Sequence, residues 1–198
     1  MSLTEEVKAR VLQEDIDLVG VTPVERLAGA PVGRRPTDVL PTAKSVIVAA
    51  VHVLDSVYDL PYTRYEYTSQ FFTVNSRLNA MATNICQFLE SQGYRNVPIP
   101  AAYPRVNREI FGIFSHRHAA VQAGLGEFAL NNMLTTPRFG SRVRLISIVT
   151  EAELEPDQPF EEKLCLNMRQ ECQLACVRNC PVQAISKDGV IDKHKCLH

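Results

Sequence analysis

The chain has 198 residues, 45% of them hydrophobic and 22% charged, with a formal net charge of −1 at pH 7. That is enough apolar material for one good-sized core and a small second unit, and it argues against disorder. A near-neutral balance also argues against a protein whose main task is coating nucleic acid, which needs a strong positive excess. The longest strongly apolar run, Val46 to Leu54, is nine residues with His52 inside it, against the roughly 20 that span a bilayer. No membrane contact is expected, and Glu5 and Glu6 at the N-terminus do not read as a signal peptide.

Taken in order, Ser2 followed by Glu5 is a capping-box pattern, and Val7, Val11 and Leu12 line one face of a helix running to about Glu14. Ile16 to Val21 reads as a short strand ending at Thr22-Pro23. The β-branched run Ser45 to Val53 reads as a strand buried on both faces, which requires helices on each side of its sheet. Val74, Leu78, Met81, Ile85 and Leu89 recur at spacings of four and three, so about Ser69 to Gln92 forms a long amphipathic helix stopping at Gly93. Cys86, beside that stripe, reads as a small buried hydrophobe. A further helix covers about His116 to Ala123 and ends at Gly124. Leu134 to Thr136, the turn Pro137 to Gly140, and Arg142 to Thr150 read as strand, turn and strand, with Arg142 and Arg144 on one face and Val143 and Leu145 on the other.

The charge shifts along the chain. Residues 1–150 carry 15 Lys and Arg against 13 Asp and Glu, a net of +2; residues 151–198 carry 6 against 9, a net of −3. Glu151 to Glu162, with six acids, no base and two prolines, marks a boundary. The expected division is 1–155, an α/β cofactor-binding domain, and 156–198, a small cysteine-rich domain. Five of the six cysteines lie in that tail, and a reducing cytoplasm, where the chain is expected to work, disfavours structural disulfides.

From Cys165 the tail runs Cys-x6-Cys172-x3-Cys176-x3-Cys180-Pro181, then Val-Gln-Ala-Ile, a turn at Lys187-Asp188-Gly189, Val-Ile-Asp, and Cys196. The Cys176-x3-Cys180-Pro181 end fits a 4Fe-4S cluster loop, in which a short cysteine-rich run wraps the cube before the proline opens a helix. The two earlier spacings are longer than that pattern. Structural zinc, which favours paired Cys-x2-4-Cys knuckles, and unligated or disulfide-bonded cysteines are the alternatives. In a two-cluster ferredoxin the cysteine before the proline ligates the other cluster. Cys196 looks like the opening of a second run, yet the chain stops two residues later. Either Cys165, Cys172, Cys176 and Cys180 hold one cluster, or the sequence belongs to a longer protein with two; the second is the expectation, with Cys196 among the ligands.

The segment His118-Ala-Ala-Val-Gln-Ala-Gly-Leu-Gly126, with Asn131-Asn132, Leu134, Thr136-Pro137, Gly140-Ser141, Leu145 to Thr150 and Leu154-Glu-Pro-Asp157 following before the cysteine run, resembles epoxyqueuosine reductases and their relatives the reductive dehalogenases. Pro41-Thr-Ala-Lys-Ser-Val-Ile47 resembles an earlier segment of the same group. The resemblance implies an N-terminal domain similar to the nitroreductase-like cobalamin-binding domains, joined to a truncated ferredoxin-like domain that delivers electrons to the corrinoid. It places Gly124, Gly126, Asn132 and Gly140 near the cofactor, where glycine permits close backbone approach; capping a helix and shaping a turn is the other reading of those glycines. Where those reductases carry a catalytic aspartate, this chain has Ile110, with Glu109 adjacent, and their helical-repeat region for transfer RNA has no counterpart here, so no transfer-RNA substrate is expected.

Glu109, His116 and Tyr103 are the candidates for proton supply. His116 and His118, two apart on a helix, diverge and cannot grip one metal ion together. Tyr62, Tyr65, Tyr67, Phe71 and Phe72, with Arg64, form the densest aromatic stretch, which suits a loop over a flat cofactor, plain packing or a homodimer contact. Arg138, Arg142 and Arg144 read as a solvated strand edge, or as a contact for an anionic cofactor tail or a partner. The expected function is an iron-sulfur oxidoreductase, fed by a donor such as ferredoxin or flavodoxin, acting on a small-molecule substrate through cobalamin. A non-catalytic electron carrier, or a protein that reduces another protein's corrinoid, is the alternative; flavin in the N-terminal domain is a third reading that rests on the fold analogy.

Overall fold

The computed structural model describes residues 1–60, 64–102 and 112–196. Helix α1, Leu3–Gln13, opens on the capping box read from the sequence: Ser2 Oγ accepts from the Glu5 N–H and the Glu5 carboxylate accepts from the Ser2 N–H. Its apolar face, Val7 and Val11, is fully buried. Strand β1, Leu18–Pro23, leads into a 3-10 turn, Val24–Leu27, and the short helix α2, Pro36–Val39. Strand β2, Ser45–His52, is buried along all but its last residue.

After a one-turn helix α3, Asp55–Tyr58, the long helix α4 spans Arg64–Ser91, starting five residues before the predicted point. Leu78, Met81, Ile85 and Leu89 are at most 2% exposed, each burial being worth about 1.5–3 kcal/mol. Cys86 lies buried among them, and burial pushes its thiol up to about 12. Strand β3, Asn96–Ile99, carries Pro98 and takes a sheet edge, where a missing N–H is tolerated. Helix α5 is His116–Gln122; strands β4, Glu127–Phe128, and β5, Leu134–Thr135, form a small hairpin; strand β6 is Val143–Thr150.

The main sheet is antiparallel throughout, in the order β1-β2-β6-β3. One face packs Ile47, Ala49, Val51, Ile146 and Ile148 against α1 and α4; the other packs Val46, Val48 and Val149 against α5 and the 3-10 turn. This explains why β2 reads as a continuous apolar run. The predicted strand, turn and strand over 134–150 are present: the turn closes on a Thr136–Gly140 bridge, and its two strands belong to different sheets. The face assignment along β6 stands, since Ile146 and Ile148 point to the α4 side and Val143, Leu145 and Val149 to the α5 side.

Residues 151–163 lie against this body as an extended strap. Asp157 is its clasp: Oδ2 accepts from the Val21 N–H at 2.8 Å, Oδ1 meets Lys8 Nζ at 2.6 Å, and the Asp157 N–H donates to Val21 O. The tail follows as four one-turn helices, α6 (Leu164–Asn167), α7 (Arg169–Cys172), α8 (Ala175–Arg178) and α9 (Lys193–Cys196), with an Ile185–Ile191 bridge between the last two. No helix among the described residues is long and apolar enough to cross a membrane.

Candidate functional site

The cysteines of the tail are all unbridged. Cys165 sits on α6 with its N–H donating to the Glu127 carboxylate and its Sγ accepting from the Leu130 N–H at 3.4 Å, so β4 and the loop after it fix both its backbone and its sulfur. Cys172 ends α7 and is exposed. Gln173 and Leu174 follow, both left-handed at φ 48° and 58°, conformers that cost about 1 kcal/mol or more each in non-glycine residues. They fall in the Cys172-x3-Cys176 gap, so the residue that makes this spacing longer than a ferredoxin run is absorbed by a reversal of the chain. Cys176, on α8, is half-buried.

Cys180 heads the loop to Ile185. Its Sγ accepts from the Ala184 N–H at 3.3 Å, and that bond, with further backbone N–H groups from Val182, Ile185 and Gln183, holds the thiol below its ordinary value. Backbone dipoles converging on a sulfur stabilise the thiolate, the form that binds metal. Among the described residues, no group of three or more His, Cys, Asp or Glu side chains is gathered tightly enough to hold a metal ion. The donor set nonetheless suits a cluster in kind: soft sulfurs on a wrapping loop, two of them already taking backbone N–H bonds as cluster sulfurs do.

Beside the tail lies a cavity of about 550 Å³. Its walls come from the 3-10 turn and the loop after it, from the entry to α5, from the β4–β5 hairpin at Asn132, and from α9 at Lys193. Leu27, Ala30, Pro31, Pro36 and Phe114 make its apolar part. Its polar part includes Arg26, Arg34, Arg117 and Lys193, with His116 and His118; among the described residues lining it there is no carboxylate. Arg26 Nη1 donates to Gln122 O at 3.1 Å and Asp157 O at 2.5 Å, and Arg117 Nη1 donates to Asn132 O. These acceptors are neutral, so they aim the guanidinium groups without cancelling their charge. Burial pulls Arg117 down, and burial followed by the nearby Arg117 and Arg34 charges pulls Lys193 down.

Of the predicted site residues, His116 and Asn132 line this cavity. His116 Nδ1 pairs with the buried Ser147 hydroxyl at 2.8 Å and Nε2 donates to Pro100 O at 3.1 Å. Burial, with Arg144 adding to it, holds this ring down to about 4, neutral at physiological pH. His118 is lowered too, first by burial and then by Arg117 and Lys193. Tyr103 and Glu109 lie outside the described residues, as does Tyr62. At Gly124 an added Cβ would fall 2.5 Å from Gln158 O of the strap, and at Gly126 it would fall 2.1 Å from Thr135 O. The close approach those glycines permit is therefore to the chain itself. Gly140, at φ +56°, closes the turn and faces open space.

Arg138 and Arg142 are exposed, as a solvated edge requires, and Arg144 is half-buried. Arg144 Nε donates to Asn75 Oδ1 and its guanidinium lies 4.5 Å from the Phe71 ring centroid; Arg142 Nε meets Asp55 at 2.6 Å. Of the aromatic stretch, Tyr65 and Phe72 are exposed and Tyr67 packs against Tyr58. Sequence reasoning missed Arg26, Arg34 and Lys193, which no local pattern connects.

The fold and site define a mixed α/β body with a cysteine-rich tail docked beside a basic cavity. The same fold occurs in epoxyqueuosine reductases and reductive dehalogenases. The epoxyqueuosine reductase of Bacillus subtilis, solved with its catalytic aspartate loop swung out of the active site, superposes with a TM-score of 0.71 at 24% identity, over 98% of this chain and 55% of that one. A catabolic reductive dehalogenase in complex with 3-bromo-4-hydroxybenzoic acid gives 0.74 at 22% identity, over 97% and 28%. In sequence, 71 residues are 44% identical to the tetrachloroethene reductive dehalogenase of Desulfitobacterium hafniense, covering 35% of this chain and 12% of that protein. The epoxyqueuosine reductase of Staphylococcus aureus is 27% identical over 169 residues, 80% of this chain and 40% of that protein. No family model matches the chain. The resemblance to these two groups of enzyme thus stands in sequence and in fold, while the matches cover between 12% and 55% of the length of these relatives.

Proposed function

We propose that the chain is the electron-delivering and cofactor-binding part of an iron-sulfur oxidoreductase related to these enzymes. In this reading Cys165, Cys172, Cys176, Cys180 and Cys196 ligate 4Fe-4S clusters, and a corrinoid occupies the α/β domain beside the tail. The observation that carries it is the Cys180 loop, where backbone N–H groups stabilise a thiolate ahead of Pro181. The names of the relatives support the oxidoreductase class. A bound corrinoid and cluster would supply one-electron reduction at the substrate. The protein's own residues do the rest. Leu27, Pro31 and Phe114 exclude water from the cavity, His116, kept neutral by burial, is fixed in its wall on Ser147 and Pro100, and Tyr103 and Glu109 would supply protons. A ferredoxin- or flavodoxin-like donor would feed the tail.

The test uses anaerobically purified protein, full-length if a longer form exists, assayed for iron and acid-labile sulfide and then titrated with cobalamin. Iron and sulfide together, with a change in the corrinoid spectrum, support the reading, and Cys180→Ser should lose most of the iron. Zinc in place of iron sinks it. Iron without a corrinoid response leaves an electron carrier, the reading favoured by Ile110 standing where the reductases have their aspartate.

A further inference from the structure

We infer that the outward face of helix α4 is the contact between two copies of this chain, packed antiparallel about a two-fold axis that passes between residues 71 and 72. A helix of 28 residues that turns one side to water ordinarily carries charge along that side. Between Tyr67 and Leu89 this one has a single charged residue, Arg77. Thr68, Ser69, Phe72, Thr73, Ser76 and Ala80 are among the residues exposed there. Part of the face's polarity is spent on the chain itself: the Thr68 and Thr83 hydroxyls donate to Arg64 O and Asn79 O at 2.6 and 3.0 Å, and Asn79 Oδ1 accepts from the Ala101 N–H at 3.0 Å. What remains is a nearly uncharged, small-residue surface with Phe72 64% exposed on it. Depletion of charge and an exposed aromatic ring are the composition of an interface core, and small side chains let two helices approach closely.

The charges that flank this face say what covers it. Glu66 and Arg77 are both exposed, and neither forms an ion pair among the described residues. They are eleven residues apart, three turns and about 20°, so they share one flank of the helix. Along the axis they stand about 16 Å apart, too far to pair within one chain. With the two-fold between residues 71 and 72, Glu66 of each copy lies beside Arg77 of the other, and both pairs fall on the same rim. Phe72, on the opposite flank, meets its own copy beside the axis, with Ser69, Thr73 and Ser76 between the two rims. A parallel pair would set Glu66 against Glu66 and Arg77 against Arg77, so the charges select the antiparallel one.

No residue from Arg64 to Thr73 is buried, and the first core residue of α4 is Val74. These turns project beyond the core, and a short helical stretch gains little stability from its own bonds. They also bear on the sheet, since Phe71, edge-on to Phe72 at 5.4 Å, carries the Arg144 guanidinium at 4.5 Å. A second copy steadies them. The overlap of the two helices, residues 64–79 of each, is about 24 Å long, a small contact that suits a reversible dimer. The pairing needs α4 alone and does not rest on the cofactors proposed above.

The experiment is sedimentation velocity over a dilution series of the anaerobically purified protein, full-length if a longer form exists. It is run on the parent, Glu66→Arg, Arg77→Glu, the double variant E66R/R77E and Phe72→Lys, with circular dichroism to confirm folding. The parent should reach twice the mass of one chain at the concentrated end and dissociate on dilution. Each single reversal turns two attractive pairs repulsive and should raise the dissociation constant by about tenfold or more. Phe72→Lys, which brings two ammonium groups together at the axis, should do at least as much. The double variant restores both pairs with their signs exchanged and should return to within about threefold of the parent; no contact within one chain can produce that rescue. Iron content should stay at the parent's value in every variant, which keeps this result separate from the cluster assignment. A parent that remains monomeric throughout, a double variant no tighter than the singles, or a dimer that none of the substitutions weakens overturns the inference.

Discussion

Gly126 has no room for a side chain, since a methyl group there would press 2.1 Å from Thr135 O and 2.8 Å from the same carbonyl carbon. Both obstacles are backbone in the β4–β5 hairpin, so the relief must come from shifting the hairpin. Gly126→Ala should therefore cost about 2–3 kcal/mol, while Gly29→Ala, with nothing within 4 Å, should stay within about 0.5 kcal/mol; urea unfolding of both variants checks the contrast. His116 makes a second prediction. Its folded value of about 4 lies below the ordinary 6.5. Above pH 6.5 both the folded and unfolded chains keep it neutral. As pH falls from 6.5 towards 4 the unfolded chain takes up a proton that the folded one refuses, so stability drops by about 1 kcal/mol per pH unit and levels off below 4. His116→Gln should flatten that slope between pH 6.5 and 5, above the range where most carboxylates titrate; an unchanged slope would refute the assignment.

Among elements, the strap at 151–163 matters most to the cavity. Asp157 bonds Val21, Lys8 and Arg26 through its side chain, its N–H and its carbonyl. Replacing it with Ala leaves the Val21 N–H of a central-sheet strand without its carboxylate acceptor and Lys8 without its partner. A loss of about 2–3 kcal/mol is expected from chemical denaturation, with Asp157→Asn losing less because its amide oxygen still accepts. The acidic, proline-punctuated run showed that something changes at this point, and the Leu154-Glu-Pro-Asp157 match showed the order of blocks. Neither revealed a clasp back to Val21, since that contact spans 136 residues. The same physics divides the rest. Helix α1, strand β2 and helix α4 were legible because a cap, a β-branched run and a 3.6-residue stripe are local signals. Strand β3 was hidden by Pro98, which reads as a breaker until an edge position excuses it. The cysteines were legible as a site because their chemistry is rare; Arg26, Arg34 and Lys193 were not, because arginine and lysine on a surface loop look alike whether or not folding makes them converge.

For the whole molecule, the decisive joint is the one between the hairpin and the tail. Glu127 is a carboxylate only 7% exposed, and it accepts the Cys165 N–H; Leu130 returns a backbone N–H to the Cys165 sulfur, and Gly189 packs against Leu130 within 3.3–4.0 Å of where its Cβ would be. The tail has one-turn helices and a single β-bridge of its own, and short helices of this kind gain little stability from their internal bonds. Its order therefore depends on this contact and on any cluster it holds. Glu127→Ala removes the acceptor and leaves the Cys165 N–H unsatisfied in a partly buried place, a cost of about 1–3 kcal/mol that falls on docking rather than on the sheet. Native-state hydrogen exchange of the anaerobic protein should show amides of 164–196 exchanging at least several-fold faster in Glu127→Ala, with those of β2 and β6 unchanged. Glu127→Gln, which keeps one acceptor oxygen, should lie between the two. Equal acceleration in β2 and β6 would mean that Glu127 supports the body itself, and no acceleration anywhere would mean that the tail is held by its other contacts alone.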